Sequence, residues 1–185
     1  VITNDTRSIN TLLQLGANIN TKDEYGKTAL QIAIEKENPD VTQLLIKNGA
    51  DINCRDHYGI TPSLSCIFNK DYESFKILIK SGADINAKAS GIVGVSALHN
   101  AAVTNNVELL QYLIKNNADL NIIDDAGTTP LILAARYKHI EIVKILLQAG
   151  ANIDQKNYRN ETVFDYANGN KDILILLNEY SKSRK

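Results

Sequence analysis

The sequence predicts an all-α fold, a linear array of short helix–turn–helix units in which each unit stacks on the next. Two observations predict it. First, eight of the ten glycines fall into two registers, Gly26, Gly59, Gly94, Gly127 and Gly16, Gly49, Gly82, Gly150, with Asn117 at the step the second register skips. The steps are 33 residues, apart from one of 35 between the second and third copies, and a fixed period of that size marks repeated copies of one supersecondary unit. Second, a Thr or Ser that can cap a helix recurs in step at Thr28, Thr61, Ser96, Thr129 and Thr162.

Aligned on glycine, the chain divides into a partial copy (1–22), four full copies (23–55, 56–88, 89–123 and 124–156) and a shortened C-terminal copy (157–185). In Thr61-Pro62 and Thr129-Pro130 a cap precedes proline at the first helical position, where its missing N–H costs nothing. A first helix of about nine residues is expected after each cap. The small residues Ala33, Cys66, Ala101, Ala134 and Ala167 lie in register where helices must approach closely. The second helix opens at Asn38-Pro39 in the first full copy, and Ile142, Val143, Leu146 and Leu147 place apolar side chains on one face of it in the fourth. It ends at the second glycine register, where a left-handed residue is wanted and asparagine is the accepted substitute. Helices this short are marginal alone, so the copies must stabilise one another.

The stretch GTTPLILAARYKHIEIVKILLQAGANID (127–154) resembles the ankyrin repeat pattern, and the resemblance extends over essentially the whole chain. It implies an ankyrin solenoid of paired antiparallel helices with β-hairpin-like fingers projecting at right angles, which recognises another protein on the concave surface of finger tips and first helices. It also implies that His99 bonds neighbouring backbone, and that Asn20, Asn53, Asn86 and Asn121 hold the fingers. The departures are Ser63 where the pattern has leucine, histidine at the motif position only in the third copy, a third finger two residues longer, and a first copy without a recognisable first helix. That last departure, with Val1 in place of methionine, leads us to expect that further repeats preceded Val1 in the native polypeptide.

Composition is ordinary, with 44% apolar and 22% charged residues and a net charge of −1. Mixed charge of this kind gives no attraction to nucleic acid or anionic membrane, and no apolar run approaches the ~18 residues of a span. Cys54 and Cys66 form no metal or redox motif and are expected to be free thiols in a reducing, cytoplasmic setting, or in a host cytoplasm if the chain is part of a secreted effector. The histidines at 57, 99 and 139 occupy different register positions, and no phosphate loop, nucleophile elbow or zinc motif is present. No catalytic residue, cofactor or metal is therefore expected. Asp23, Asp56 and Asp124 are expected to hold turns.

The informative residues are apolar or aromatic ones where stacking does not need them. Beside the first glycine register and at the ends of the first helices stand Tyr25, Tyr58, Ile60 and Phe68, then Ile92, Val93, Val95 and Val103, then Arg136 and Tyr137, and finally Tyr158 and Arg159. Aligned across copies, they are expected to form the partner-binding stripe, since such patches mark interfaces and Tyr and Arg are frequent hot spots. The expectation is a non-enzymatic module, monomeric on its own, that binds another protein. The alternatives are an inhibitor or immunity-type partner of an enzyme and a targeting segment of a larger effector.

Overall fold

A computed structural model describes residues 6–90 and 93–183. The chain falls into two compact units, Val1–Ile92 and Val93–Lys185, so the division lies at the lengthened third finger. Unit 1 holds α1 (Thr6–Gln14), α2 (Ala29–Glu35), α3 (Pro39–Lys47), α4 (Pro62–Asn69) and α5 (Tyr72–Lys80). Unit 2 holds α6 (Ala97–Val103), α7 (Val107–Lys115), α8 (Pro130–Arg136), α9 (Ile140–Gln148), α10 (Val163–Ala167) and α11 (Lys171–Ser183). Among the described residues the one β-type pairing is an isolated bridge from Lys22 to Thr28.

The first helices are shorter than expected, five to eight residues. What stops them is a third left-handed register that the glycines do not reveal: Glu37, Lys70, Asn105 and Lys138, at φ of 50, 61, 55 and 61°. The residue after each of these sends its N–H back to the carbonyl of the small helix residue, Asn38 to Ala33 at 3.1 Å, Asp71 to Cys66 at 2.9 Å, Asn106 to Ala101 at 3.0 Å and His139 to Ala134 at 2.9 Å. This is the long bond of a Schellman closure. The same residues then open the second helix. Asn38, Asp71 and Asn106 accept from the amides of Val41, Ser74 and Leu109 at 3.1, 3.0 and 2.9 Å. One residue thus ends one helix and caps the next.

The five predicted caps all stand at helix N-termini. The second helices end as the sequence predicts, with Asn117 at φ 61° substituting for glycine and the Ala118 amide closing on Leu113 at 3.0 Å.

Packing follows the two helix types. In unit 1, α2 lies on α4 and α3 on α5; in unit 2, α6 lies on α8 and α8 on α10, while α7 lies on α9 and α9 on α11. The small residues sit where first helices meet: Ala33, Cys66, Ala101, Ala134 and Ala167 are no more than 1% exposed. Around them Leu30, Leu64, Leu98, Leu131, Leu113 and Leu146 are fully buried. Ser63, the departure from leucine, is buried but satisfied by the Thr61 hydroxyl at 3.0 Å. Both cysteines are free and buried, and burial pushes both thiols above their ordinary pKa. Leu12 in α1 and Leu15 just after it are 56% and 79% exposed.

Two stability outcomes follow from this packing. Leu146→Ala should lower unfolding free energy by about 2–5 kcal/mol in denaturant titration, the range for a fully buried leucine. In unit 1 the hydroxyls of Thr42 and Ser74 are buried without hydrogen-bond partners. Thr42→Val keeps the shape and removes an unpaired polar group, so it should raise stability by on the order of 1 kcal/mol in the same assay.

Candidate interaction surface

The fingers are built by one device repeated. In unit 1 the Asp23 Oδ1 accepts from the amides of Tyr25 and Lys27, both at 2.9 Å, and Asp56 does the same for Tyr58 and Ile60 at 2.9 Å. In unit 2, Asp124 takes the amides of Ala126 and Thr128 at 2.8 and 2.7 Å, and Asn157 those of Arg159 and Glu161 at 2.9 and 3.0 Å. A single short acceptor side chain fixes each of these four tips, as Asx turns do, while the third finger has Ala89 at the equivalent position.

Neighbouring fingers are joined edge to edge. His57 N–H donates to the Tyr25 carbonyl at 3.1 Å, Asp125 N–H to Val93 at 3.1 Å, and Tyr158 N–H to Ala126 at 3.0 Å. This approach explains the first glycine register. A Cβ on Gly127, at φ +74°, would meet the Tyr158 ring at 2.8 Å and its backbone nitrogen at 2.9 Å. The register continues into the last copy as Asn160 at φ 64°, a position the glycine pattern alone does not show.

The finger asparagines act differently from the expectation. Asn20, Asn53 and Asn121 do not brace their own finger; each side-chain oxygen accepts from a backbone amide of the following copy, Asp51, Asp84 and Asn152, at 2.8, 2.9 and 2.8 Å. His99 bonds backbone as expected. Ser96 N–H donates to its Nδ1 at 3.2 Å, which leaves Nε2–H to donate to the Thr128 carbonyl at 3.0 Å. Sequence reading missed that Gln31 performs the same task in the first full copy, accepting from Thr28 N–H at 3.2 Å and donating to the Ile60 carbonyl at 2.9 Å. The spacing Thr28-x-x-Gln31, that of a capping box, was the available signal.

Within unit 1, Tyr25, Tyr58 and Phe68 are 53%, 57% and 37% exposed, and Ile60 is half-buried. Lys27 crosses this face, its ammonium 2.5 Å from Glu35 and 5.9 Å from the Tyr25 ring centre. The hydrogen bond to Glu35 holds the lysine pKa above its ordinary value. Within unit 2, Val93, Tyr137 and Tyr158 are 60%, 48% and 73% exposed, Arg136 and Arg159 are exposed, and Val95 and Val103 are half-buried. Ile92 lies outside the described residues. Tyr137 stacks on His139 at 6.0 Å, and His139 Nδ1–H donates to the Ala102 carbonyl at 2.8 Å. Val93 holds φ 54°, a conformation unfavourable for a β-branched residue. Among the described residues no group of three or more His, Cys, Asp or Glu side chains is placed to hold a metal ion, and no helix is long and apolar enough to cross a membrane.

Capped helical hairpins joined by short, side-chain-braced fingers define a class of repeat protein. The family described as "Ankyrin repeats (3 copies)" matches residues 1–89 and 90–157, and the chain belongs to that family. Ankyrin repeats are protein-interaction modules, and the fold is the all-α one of that family. Rabankyrin-5 of Mus musculus is 30% identical over 157 residues, 84% of this chain and 13% of its own length. Protein phosphatase 1 regulatory subunit 27 of Homo sapiens is 38% identical over 64 residues, 35% of this chain and 42% of its own. Transient receptor potential cation channel subfamily A member 1 of Homo sapiens is 45% identical over 60 residues, 32% of this chain and 5% of its own. The chain thus spans less than half the length of each of these relatives.

At the last finger Glu161 accepts from the Tyr166 hydroxyl at 2.6 Å and from Asn157 Nδ2 at 3.0 Å, and these bonds hold its carboxyl below the usual pKa. A depressed folded pKa gives stability that is present above the unfolded value and lost as pH falls through the folded one. Glu161→Gln should therefore reduce the loss of stability on acidification below the ordinary carboxylate range, measured by denaturant titration across that window.

Proposed function

We propose that the chain is a non-catalytic recognition module that binds a partner protein through its finger and first-helix surface. The residues assigned to contact are Tyr25, Tyr58, Ile60 and Phe68 in unit 1, and Val93, Val95, Val103, Arg136, Tyr137, Tyr158 and Arg159 in unit 2, with Ile92 beside them in sequence. One observation carries the reading: large aromatic and branched side chains stand exposed at repeat-equivalent positions while leucines and alanines elsewhere in each copy fill the core. Burying such side chains costs little stability to forgo in the free protein, and on binding converts apolar area into affinity. Four of the fingers are already fixed by side-chain acceptors, so little conformational entropy is lost there on association. The strained Val93 fits this reading, since unfavourable backbone at an exposed tip is retained where the side chain serves contact.

The proposed state is a monomer in the cytoplasm, or in a host cytoplasm if the chain is part of a secreted effector, needing no cofactor and no nucleic acid. A second reading is that the bound partner is an enzyme whose activity the module controls. It is favoured by the names of two relatives, regulatory subunits 27 and 12A of protein phosphatase 1. Loss of the partner's activity in the complex would select it.

Affinity capture with the native chain supplies the partner for the test. Phe68→Ala and Val93→Asp should each weaken binding by about tenfold or more in calorimetry, while the melting temperature stays nearly unchanged. Normal binding by both variants overturns the assigned surface.

A further inference from the structure

The chain contains two Asn-Gly pairs, Asn48-Gly49 and Asn168-Gly169. Asparagine ahead of glycine is well suited to intramolecular attack, because glycine has no Cβ to crowd its own amide nitrogen. All four residues are exposed, so solvent access does not distinguish the pairs. How firmly each backbone is held does.

Asn48 caps the end of α3 and is engaged on every side. Its Nδ2–H donates to the Leu44 carbonyl at 2.8 Å, and its own amide to Leu44 and Leu45 at 3.1 and 3.2 Å. The Gly49 amide donates to Ile46 at 3.0 Å, and the Ala50 amide closes on Leu45 at 3.0 Å. The nitrogen that would attack is thus already bonded, and the carboxamide it would attack is tied to the helix. Asn168 ends α10 at φ −58° and ψ 126°, and Gly169 follows at φ 89°. Among the described residues neither the Asn168 side chain nor the Gly169 amide has a hydrogen-bond partner. A crankshaft turn of the Asn168–Gly169 peptide unit brings the amide nitrogen to Asn168 Cγ. Glycine permits that turn, and it breaks no hydrogen bond of the unit.

We propose that Asn168 is a site of spontaneous deamidation and isomerisation, a modification independent of the binding surface. Hydroxide removes the Gly169 amide proton, and the nitrogen forms a bond to Asn168 Cγ. The Cγ–Nδ2 bond breaks, and ammonia leaves with a proton taken from water, which closes a succinimide ring. Water then adds to either ring carbonyl and opens the ring to Asp or isoAsp at 168. In isoAsp the main chain runs through Cβ and gains an atom. That atom falls inside the turn closed by the Asn170 amide on the Ala167 carbonyl at 2.9 Å. The same Asn170 caps α11, its Oδ1 accepting from the Ile173 amide at 3.2 Å. IsoAsp therefore loosens the start of α11, whose Ile173 and Leu177 are fully buried.

The test is incubation of the intact chain in mildly alkaline buffer, with and without concentrated urea, followed by peptide mapping with mass spectrometry. In the folded chain Asn168 should convert about tenfold or more faster than Asn48, where several hydrogen bonds must open first. In urea the two rates should converge, because the bonds that protect Asn48 are gone. The product should be a mixture of Asp and isoAsp, formed faster as pH rises. Asn168→Gln, which cannot close the same ring, should abolish the change at 168 and leave Asn48 as it was. Equal rates at Asn48 and Asn168 in the folded chain overturn the assignment, as does an Asn168 that stays intact while the urea sample converts. Asp without isoAsp overturns the succinimide route. Hydrogen exchange then reads the consequence: the aged chain should exchange faster at the start of α11 than the Asn168→Gln chain aged alike. Equal exchange overturns the loosening of α11.

Discussion

A helix of seven residues leaves most of its backbone groups without an intrahelical partner, and this shortage governs the protein. The first helices are this short because each must end, turn and hand over to a second helix within one repeat. Their terminal groups are therefore satisfied by a fixed set of neighbours: a Thr or Ser at the start, a left-handed residue at the end, and an Asn, Asp or His that closes one helix and opens the next. Lateral contact supplies the remaining stabilisation. Alanine or cysteine at the crossing lets the first helices lie close, and leucines on either side fill the layer.

Between copies the same economy of side chains holds. Gln31 and His99 differ in size, charge capacity and ring structure, yet each accepts one amide from its own cap and donates one proton to the carbonyl before the next cap. What the fold requires at that position is an acceptor and a donor about a side chain's length apart. Lys22 and Arg55 provide another link of the kind, donating to the carbonyls of Arg55 and Lys88 at 2.9 and 2.7 Å.

Much of the fold was legible in the sequence because its signals are local. Caps, prolines at the first helical turn and glycines at left-handed positions each report one residue's backbone needs, and recurrence at 33 residues makes them unmistakable. The third left-handed register was not legible, since Glu37, Lys70, Asn105 and Lys138 share no composition cue and are held by the Schellman bond rather than chosen for conformational freedom. The reach of Asn20, Asn53 and Asn121 into the following copy depends on stacking distance, which no single repeat contains. The surface residues were partly legible. Tyr25, Tyr58, Val93, Tyr137 and Tyr158 stand exposed as their register suggested, whereas Ile60, Val95 and Val103 are half-buried. The bonds from Tyr166 to Glu161 and from Thr162 to Asp165 need side-chain geometry and could not be read from charge counting.

The lengthened third finger separates two kinds of position in the chain. Despite its two extra residues, the Val93 carbonyl meets the Asp125 amide at 3.1 Å, the same distance at which Tyr25 meets His57 in fingers of ordinary length. The bond from this finger to the next one in unit 2 is thus made at ordinary length. A tip ends in one backbone bond and an exposed side chain, whereas a single insertion inside a helix would rotate the buried leucines after it in that helix by about 100°. Side chains at a tip can therefore change without disturbing the layers of buried leucine.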